Sequence, residues 1–333
     1  MTPGAHWWRV GHDVRWQSVS SLGAIDAESH ASYFADVETN EEMEKWAATL
    51  DASEDYRVLR RLRVPTPVRD KGLLPDERIA IILDTETTGL DYRSDEIIEI
   101  GMIAVTYTSS GDIGRVIETY SALNAPSSDI TGEITALTGI DNSMVAGKRF
   151  NLAEIGVFIK QAALVIAHNA SFDRPFCEKL VGSFSQKAWA CSATEVPWRA
   201  IGYEGLKLAY LLTQSGYFDT GHRALNDSAA VFAVLNTATS SGDLPFRLLL
   251  ASAREKRCLV RVHGGYDARR TLKARGYRWN GNTEGRPPNW FLELAETSLT
   301  EELAFLDALA GMAAGSITVE RQTAYDRYRA QDA

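Results

Sequence analysis

The sequence predicts an α/β protein built around a mixed sheet, and three observations carry that prediction. Residues 79–83 (Ile79, Ala80, Ile81, Ile82, Leu83) form an apolar, β-branched run with the length of a buried strand. Two more strand-like stretches follow at 96–106 and 114–123, with Ser109, Ser110 and Gly111 at the turn between them. After them helical and strand patterns alternate, the order expected of an α/β chain.

Taken in order, residues 1–40 show no sustained periodicity. A helical pattern runs through 41–62, with Met43, Trp46, Ala47, Leu50, Val58, Leu59 and Leu62 apolar and a break near Ser53. Pro65, Pro67 and Pro75 mark a linker, so residues 1–76 read as a partly helical N-terminal extension. The α/β unit covers 77–240. Its second half contains an apolar strand at 164–167, a helix with Phe172, Phe176 and Leu180 at helical spacing, and a final apolar helix after His222. From about residue 241 the pattern restarts as a small α+β domain reaching 333. It reads as a helix at 245–256, a strand at 258–262 and a basic helix at 267–275 closed by Gly276. Paired strands at 277–279 and 290–292 flank a loop, a helix covers 299–309, and the tail from Ser316 is expected to fray.

Bulk properties narrow the function. At 333 residues with 45% hydrophobic content, the chain can bury ordinary cores in two or three units. It has no run of about 18 apolar residues and no signal-peptide core, so a soluble cytoplasmic protein without a membrane partner is expected. Cys177, Cys191 and Cys258 are far apart and predict buried, reduced thiols. The net charge of −9 is unevenly spread. Residues 25–55 hold ten acids against one base, −9, whereas residues 245–290 hold eleven bases against three acids, +8.

The most informative stretch is Asp84, Thr85, Glu86, Thr87, Thr88, Gly89, Leu90 and Asp91, at the end of the first strand. Residues two apart in a strand share a face, so Asp84 and Glu86 aim two carboxylates at one spot. Such a pair calls for a hard divalent cation. A second strand ends in His168, Asn169, Ala170, Ser171, Phe172 and Asp173, with Asp173 in the first turn of the next helix. His222 precedes Asp227 by five residues, at the front of the last helix of the unit and in a loop bounded by Gly216 and Gly221.

Acid-x-acid, then Asn-x-x-Phe-Asp, then His-x-x-x-x-Asp resembles the DEDDh family of 3′→5′ exonucleases, typified by the proofreading epsilon subunit of bacterial DNA polymerase III. The resemblance covers roughly residues 77–240. The segment Thr131 to Ile140 is similar to the family's helix and turn beside the substrate, although Thr138 stands where many relatives carry His. The resemblance implies a ribonuclease H-like mixed five-stranded sheet flanked by helices, with the first strand central and the acids at its end. It also implies two divalent cations, Mg²⁺ or Mn²⁺, held by Asp84, Glu86, Asp173 and Asp227. Asp84 is expected to bridge both ions, Glu86 and Asp227 to complete the water-activating site, and Asp173 to hold the second ion.

His222 is the expected general base, because an imidazole titrates near pH ~6.5; His168 reads as a hydrogen-bonding residue. Thr85, Thr87, Thr88, Gly89, Leu90, Asn169 and Phe172 are expected around the terminal nucleotide. The expected substrate is DNA with a 3′ end, with RNA as the alternative, and a DNA polymerase or another replication or repair protein is the expected partner. A non-catalytic binding module is the competing class. In the C-terminal domain Arg270, Lys273, Arg275, Tyr277, Arg278 and Trp279, with Tyr266, are candidate nucleic-acid contacts, since bases and aromatics together suit single strands.

Overall fold

The computed structural model describes residues 40–68, 72–219, 222–239, 242–264, 267–281, 287–309 and 316–330. The chain divides into two compact units, Met1–Val58 and Leu59–Ala333. The described part of the first is helix α1 (Asn40–Asp51) and the segment after it; the aperiodic leader, residues 1–39, lies outside the described residues. The helical reading of 41–62 holds only to Asp51. Arg60–Arg61 (β1) is extended and pairs in parallel with Tyr217–Phe218 (β7). Leu62 and Val64 pack on the core of the second unit. Val64 precedes Pro65, and a residue before proline is pushed out of the helical region.

The second unit contains a five-stranded sheet and a four-stranded sheet. The first is ordered β4–β3–β2–β5–β6, from Arg78–Thr87 (β2), Ile97–Tyr107 (β3), Ile113–Leu123 (β4), Leu164–Ala167 (β5) and Trp189–Cys191 (β6). The hairpin neighbours β2, β3 and β4 pair antiparallel, while β5 and β6, reached through helices, pair in parallel. The first long strand is therefore central, the ribonuclease H-like order expected. Helices α2 (Gly132–Thr138), α3 (Asn142–Val145), α4 (Leu152–Lys160), α5 (Ala170–Leu180), α6 (Leu208–Gln214), α7 (Ala224–Asn236) and α8 (Pro245–Arg254) surround it.

Alternation along β2 separates two cores. Ile79, Ile81 and Leu83 face Ile155, Phe158 and Phe176 of α4 and α5. Ala80 and Ile82 belong to the core that contains Val231, Val234 and Leu249 of α7 and α8. The three cysteines are free and buried.

The four-stranded sheet is ordered β11–β8–β10–β9, with all pairs antiparallel, from Arg257–His263 (β8), Arg278–Asn280 (β9), Asn289–Ala295 (β10) and Ile317–Gln322 (β11). One face packs Val260, Val262 and Trp290 against Leu272 of α9 (Arg269–Arg275) and Leu306 of α10 (Leu299–Asp307). Gly276 closes α9 in the left-handed region at φ 103, as its position predicted.

The expected fraying from Ser316 is wrong. Residues 317–322 form a paired strand, and the chain then returns to the first sheet, where Trp189 N donates to Ala324 O at 2.7 Å. Arg327 is buried against Glu195 (2.8 Å), and Arg174 donates to the carbonyls of Tyr325 and Arg327. Ile317–Gln322 alternates only over its first four residues and holds just two apolar side chains, Ile317 and Val319, too short a signal to mark a strand.

Candidate active site

Period-2 alternation sends the ends of β2 in two directions. Asp84 and Glu86 continue the Ala80–Ile82 face, toward α7. Thr85 points to the opposite face, where its hydroxyl donates to Asp173 Oδ1 of α5 at 2.8 Å. The β2–β3 register slips between Glu86 and Thr87, so a bulge lies at the site's edge.

Helix α7 is brought onto this spot by Gly101 of β3, which lies opposite Asp84. A Cβ on Gly101 would fall 2.1 Å from Leu225 N and 2.2 Å from the Ala224 carbonyl carbon, so only glycine lets the helix approach. Ser228 Oγ anchors the contact by donating to Gly101 O at 3.0 Å. Asp227 thereby arrives in the first turn of α7, beside Glu86. His222 adopts a left-handed backbone (φ 54), a conformation uncommon for a non-glycine residue. Ligand-capable atoms of Glu86, His222 and Asp227 all lie within 4.8 Å of one another.

The electrostatics are those of crowded acids. Burial is the largest cause of the raised proton affinity of Asp84, followed by the charges of Asp173, Asp227, Glu86 and Glu99. Glu86 is pushed up to about 8, by burial and then by Asp227, Glu99 and Asp173. Asp173 is raised to about 7 by burial, opposed by its bond from Thr85. Asp227 is raised to about 6 by burial, opposed by His222. Carboxylates held this close resist ionising together unless positive charge joins them. All-oxygen donors with an imidazole beside them fit a hard divalent cation.

Sequence reading missed Glu99 and Arg223. Glu99 is 1% exposed, lies opposite Glu86, and accepts from Arg223 Nε and Nη2 and from Ala224 N. It thus ties the start of α7, and with it the segment between His222 and Asp227, to β3. The available signal was an acid inside the apolar run of β3. Gly221 lies outside the described residues.

The remaining expected residues take definite places. Thr87 Oγ1 donates to Gly89 O (2.6 Å), and Glu96 N donates to Thr88 Oγ1 (3.0 Å), making 87–96 a braced turn. Leu90 stands at its tip, 87% exposed. Asn169, also left-handed (φ 79), immediately precedes α5 and accepts from Ser171 Oγ without a side-chain bond to the helix backbone, while Phe172 packs on Phe176 with centroids 5.1 Å apart. His168 is held by Ser192 Oγ (2.9 Å) and Leu206 O (2.8 Å), and burial lowers its proton affinity. Thr138 is buried and donates to Ile134 O, closing the α2 turn.

In the C-terminal segment Tyr277 is 2% exposed and donates to Glu302, so it offers no ring face for stacking. Arg275 is bound by Glu301 and Glu302 and lies over Phe305. Trp279 packs on Trp290 of the core face. Arg270 and Lys273 are exposed on α9, as is Arg278 on β9; Tyr266 lies outside the described residues. Local charge and aromatic content did not foretell which side chains the helix–sheet core would consume.

The RNase_T exonuclease family matches residues 81–235, a span that holds Asp84, Glu86, Asp173, His222 and Asp227. A DNA polymerase III subunit epsilon from Treponema pallidum is 30% identical over 171 residues, 46% of this chain and 73% of that relative. The chain belongs to the exonuclease family. PolC-type DNA polymerase III of Thermotoga petrophila is 36% identical over 98 residues of this exonuclease-family chain, 29% of its length and 7% of the polymerase. The corresponding protein of Caldanaerobacter subterraneus is 30% identical over 156 residues, 45% of this chain and 11% of its own. The chain thus spans 11% or less of these polymerases. Among solved structures, exonuclease X with 5′ overhanging duplex DNA aligns at TM-score 0.36 and 23% identity, over 50% of this chain and 99% of that one. The zinc-bound E. coli ExoI–ssDNA complex aligns at 0.43 and 16%, over 56% and 48%.

Proposed function

We propose that this chain is a metal-dependent 3′→5′ exonuclease that shortens DNA from its 3′ end and releases nucleoside 5′-monophosphates. The observation that carries this reading is the convergence, from three distant segments, of Asp84, Glu86, Asp173 and Asp227 with His222.

Asp84, Glu86, Asp173 and Asp227 would hold the two ions, and the crowding of these buried carboxylates supports positive charge among them. Divalent cations bound there, Mg²⁺ or Mn²⁺, would activate the attacking water and stabilise the departing 3′ oxygen. His222, exposed beside Glu86 and Asp227, accepts the proton of that water on a ring nitrogen and returns it to solvent. The Glu99–Arg223 pair keeps the segment between them oriented. Leu90, exposed at the tip of the braced 87–96 turn, would offer an apolar surface to the terminal base, with Asn169 and Phe172 as the expected contacts from the front of α5. A replication or repair setting is part of the reading, because the curated relatives are named as DNA polymerase III components; co-purification with a polymerase subunit tests it.

The deciding experiment compares wild type with Asp84→Ala on a 5′-labelled single-stranded DNA in Mg²⁺. Stepwise shortening from the 3′ end by wild type and its loss in the variant are expected. Full-length DNA throughout Mg²⁺ and Mn²⁺ titrations of the wild type would overturn the reading.

A further inference from the structure

The four-stranded sheet has a second face that the C-terminal core does not use. Residues directly opposite one another in an antiparallel ladder share a face. Arg261 of β8 lies opposite Phe291 of β10, and Phe291 lies opposite Arg278 of β9. One rung across three strands therefore reads Arg–Phe–Arg. The Arg278 guanidinium lies over the Phe291 ring, 4.7 Å from its centroid.

This face is one wall of a cleft of about 690 Å³ whose lining also includes Ser171 and Thr194 of the exonuclease segment. Ser171 is two residues from Asp173 and donates to Asn169, so the cleft opens beside the front of α5. The acids themselves do not line it; Ser171, at the start of the helix that carries Asp173, is the lining residue nearest to them in sequence.

Four arginines (Arg257, Arg261, Arg278 and Arg329) line the cleft against three acids, Glu293, Glu320 and Asp326, leaving a small positive excess. Arg278 is exposed and has no ion-pair partner among the described residues. Arg261 meets Glu320 at 3.6 Å, and that glutamate is 54% exposed. Arg261 itself is 16% exposed, and at this separation from a solvated glutamate its pairing is weak; a phosphate offers it a two-pronged partner in its place. Arg257 is committed to Glu293 at 3.1 Å. A guanidinium held over a ring also offers a planar surface to an unpaired base. Duplex DNA hides its base faces, so a single strand fits this arrangement better.

We propose that this cleft holds a single DNA strand upstream of its 3′ end, with Arg261 and Arg278 on phosphates and the Arg278–Phe291 stack against a base. The inference deepens the exonuclease reading and rests on it for the strand's direction.

The test is fluorescence anisotropy with 5′-fluorescein-labelled dT15 and the full chain in EDTA, where binding is read without hydrolysis. Arg261→Glu/Arg278→Glu is expected to weaken binding at least tenfold. It should also flatten the salt dependence by about 0.7 for each phosphate no longer neutralised, the scale for single strands. Lys160→Glu/Arg199→Glu makes the same change of net charge at exposed positions outside the cleft and should bind within twofold of wild type. Circular dichroism establishes that both variants are folded, and Arg278→Ala, a milder change at an exposed position, repeats the test with an expected loss of a few-fold.

Wild-type affinity in the cleft variants overturns the proposal. Equal weakening by the Lys160/Arg199 pair does so too, and so does displacement of dT15 by a poly-glutamate peptide at equal charge concentration. The end-shortening assay is read separately. Wild type that leaves DNA intact in Mg²⁺, yet loses binding in the cleft variants, refutes the exonuclease reading and not the cleft. Active wild type with cleft variants that bind normally refutes the cleft alone.

Discussion

Arg327→Met probes the segment that brings the C-terminal residues back to the first sheet. Arg327 and Glu195 are 1% and 0% exposed at the side chain and 2.8 Å apart, so the pair is beyond the reach of solvent screening. Arg327 also donates to the carbonyls of Ser252 (3.1 Å) and Glu255. Glu195 keeps its bonds from Cys191 N, Ser252 Oγ and Tyr328 Oη but is left without the cation that faces it.

Removing one partner of a buried pair leaves an uncompensated charge and costs about 3–5 kcal/mol, against about 0.2–1 kcal/mol for an exposed pair. With a urea slope of about 3 kcal/mol/M, the unfolding midpoint should fall by about 1 M or more. Tryptophan fluorescence reports it, since Trp189 and Trp198 are buried nearby. Adding Glu195→Gln to Arg327→Met should recover part of the loss, because a neutral amide tolerates burial better than a lone carboxylate. A midpoint lowered by less than about 0.3 M at unchanged slope would refute the claim that this pair fastens the returning segment.

Other outcomes follow from the site. Gly101→Ala drives a methyl into the backbone of Leu225 and Ala224, so α7 must shift; exonuclease turnover should drop at least tenfold and thermal stability should fall, and wild-type kinetics would show that the helix is not held there. His222→Ala should lower kcat by about 10²–10⁴ with a smaller change in KM, the scale of a lost general base. The raised proton affinities of Glu86 (about 8), Asp173 (about 7) and Asp227 (about 6) mean that the folded, metal-free protein binds more protons than the unfolded chain between roughly pH 4 and 8. These groups therefore make metal-free stability fall as pH rises through that window. Added Mg²⁺ should raise the melting temperature more at pH 8 than at pH 5, and an equal rise at both, by differential scanning fluorimetry, would contradict this. Leu90→Ser should raise KM for single-stranded DNA several-fold without loss of stability, since the side chain is 87% exposed and supports no core; a lowered melting temperature instead would assign Leu90 to packing.

The elements visible in the sequence were those whose signal is local. The β2 run, the helix bearing Asp173, the helix bearing Asp227 and the Gly276 stop each announce themselves within about ten residues, through alternation, helical spacing or a turn residue. The acids were legible for the same reason, as short motifs at the ends of such elements. The extension at 52–62 was misread because an apolar spacing compatible with a helix was outvoted by pairing with Tyr217 and Phe218, more than 150 residues away.

By itself the sequence determined which residue types stand at the ends of which strands and helices, because alternation and helical spacing are properties of neighbouring residues. Tertiary structure alone decided how those ends are held together. Glu99 reaches Arg223, Gly101 admits α7, Arg327 returns to Glu195, and Arg261, Phe291 and Arg278 line up on one rung. The residues joined in the first three pairings are more than 100 positions apart, and the rung spans three strands. Which distant side chain ends up buried against which carboxylate depends on the packing of the whole unit, and no local pattern records it.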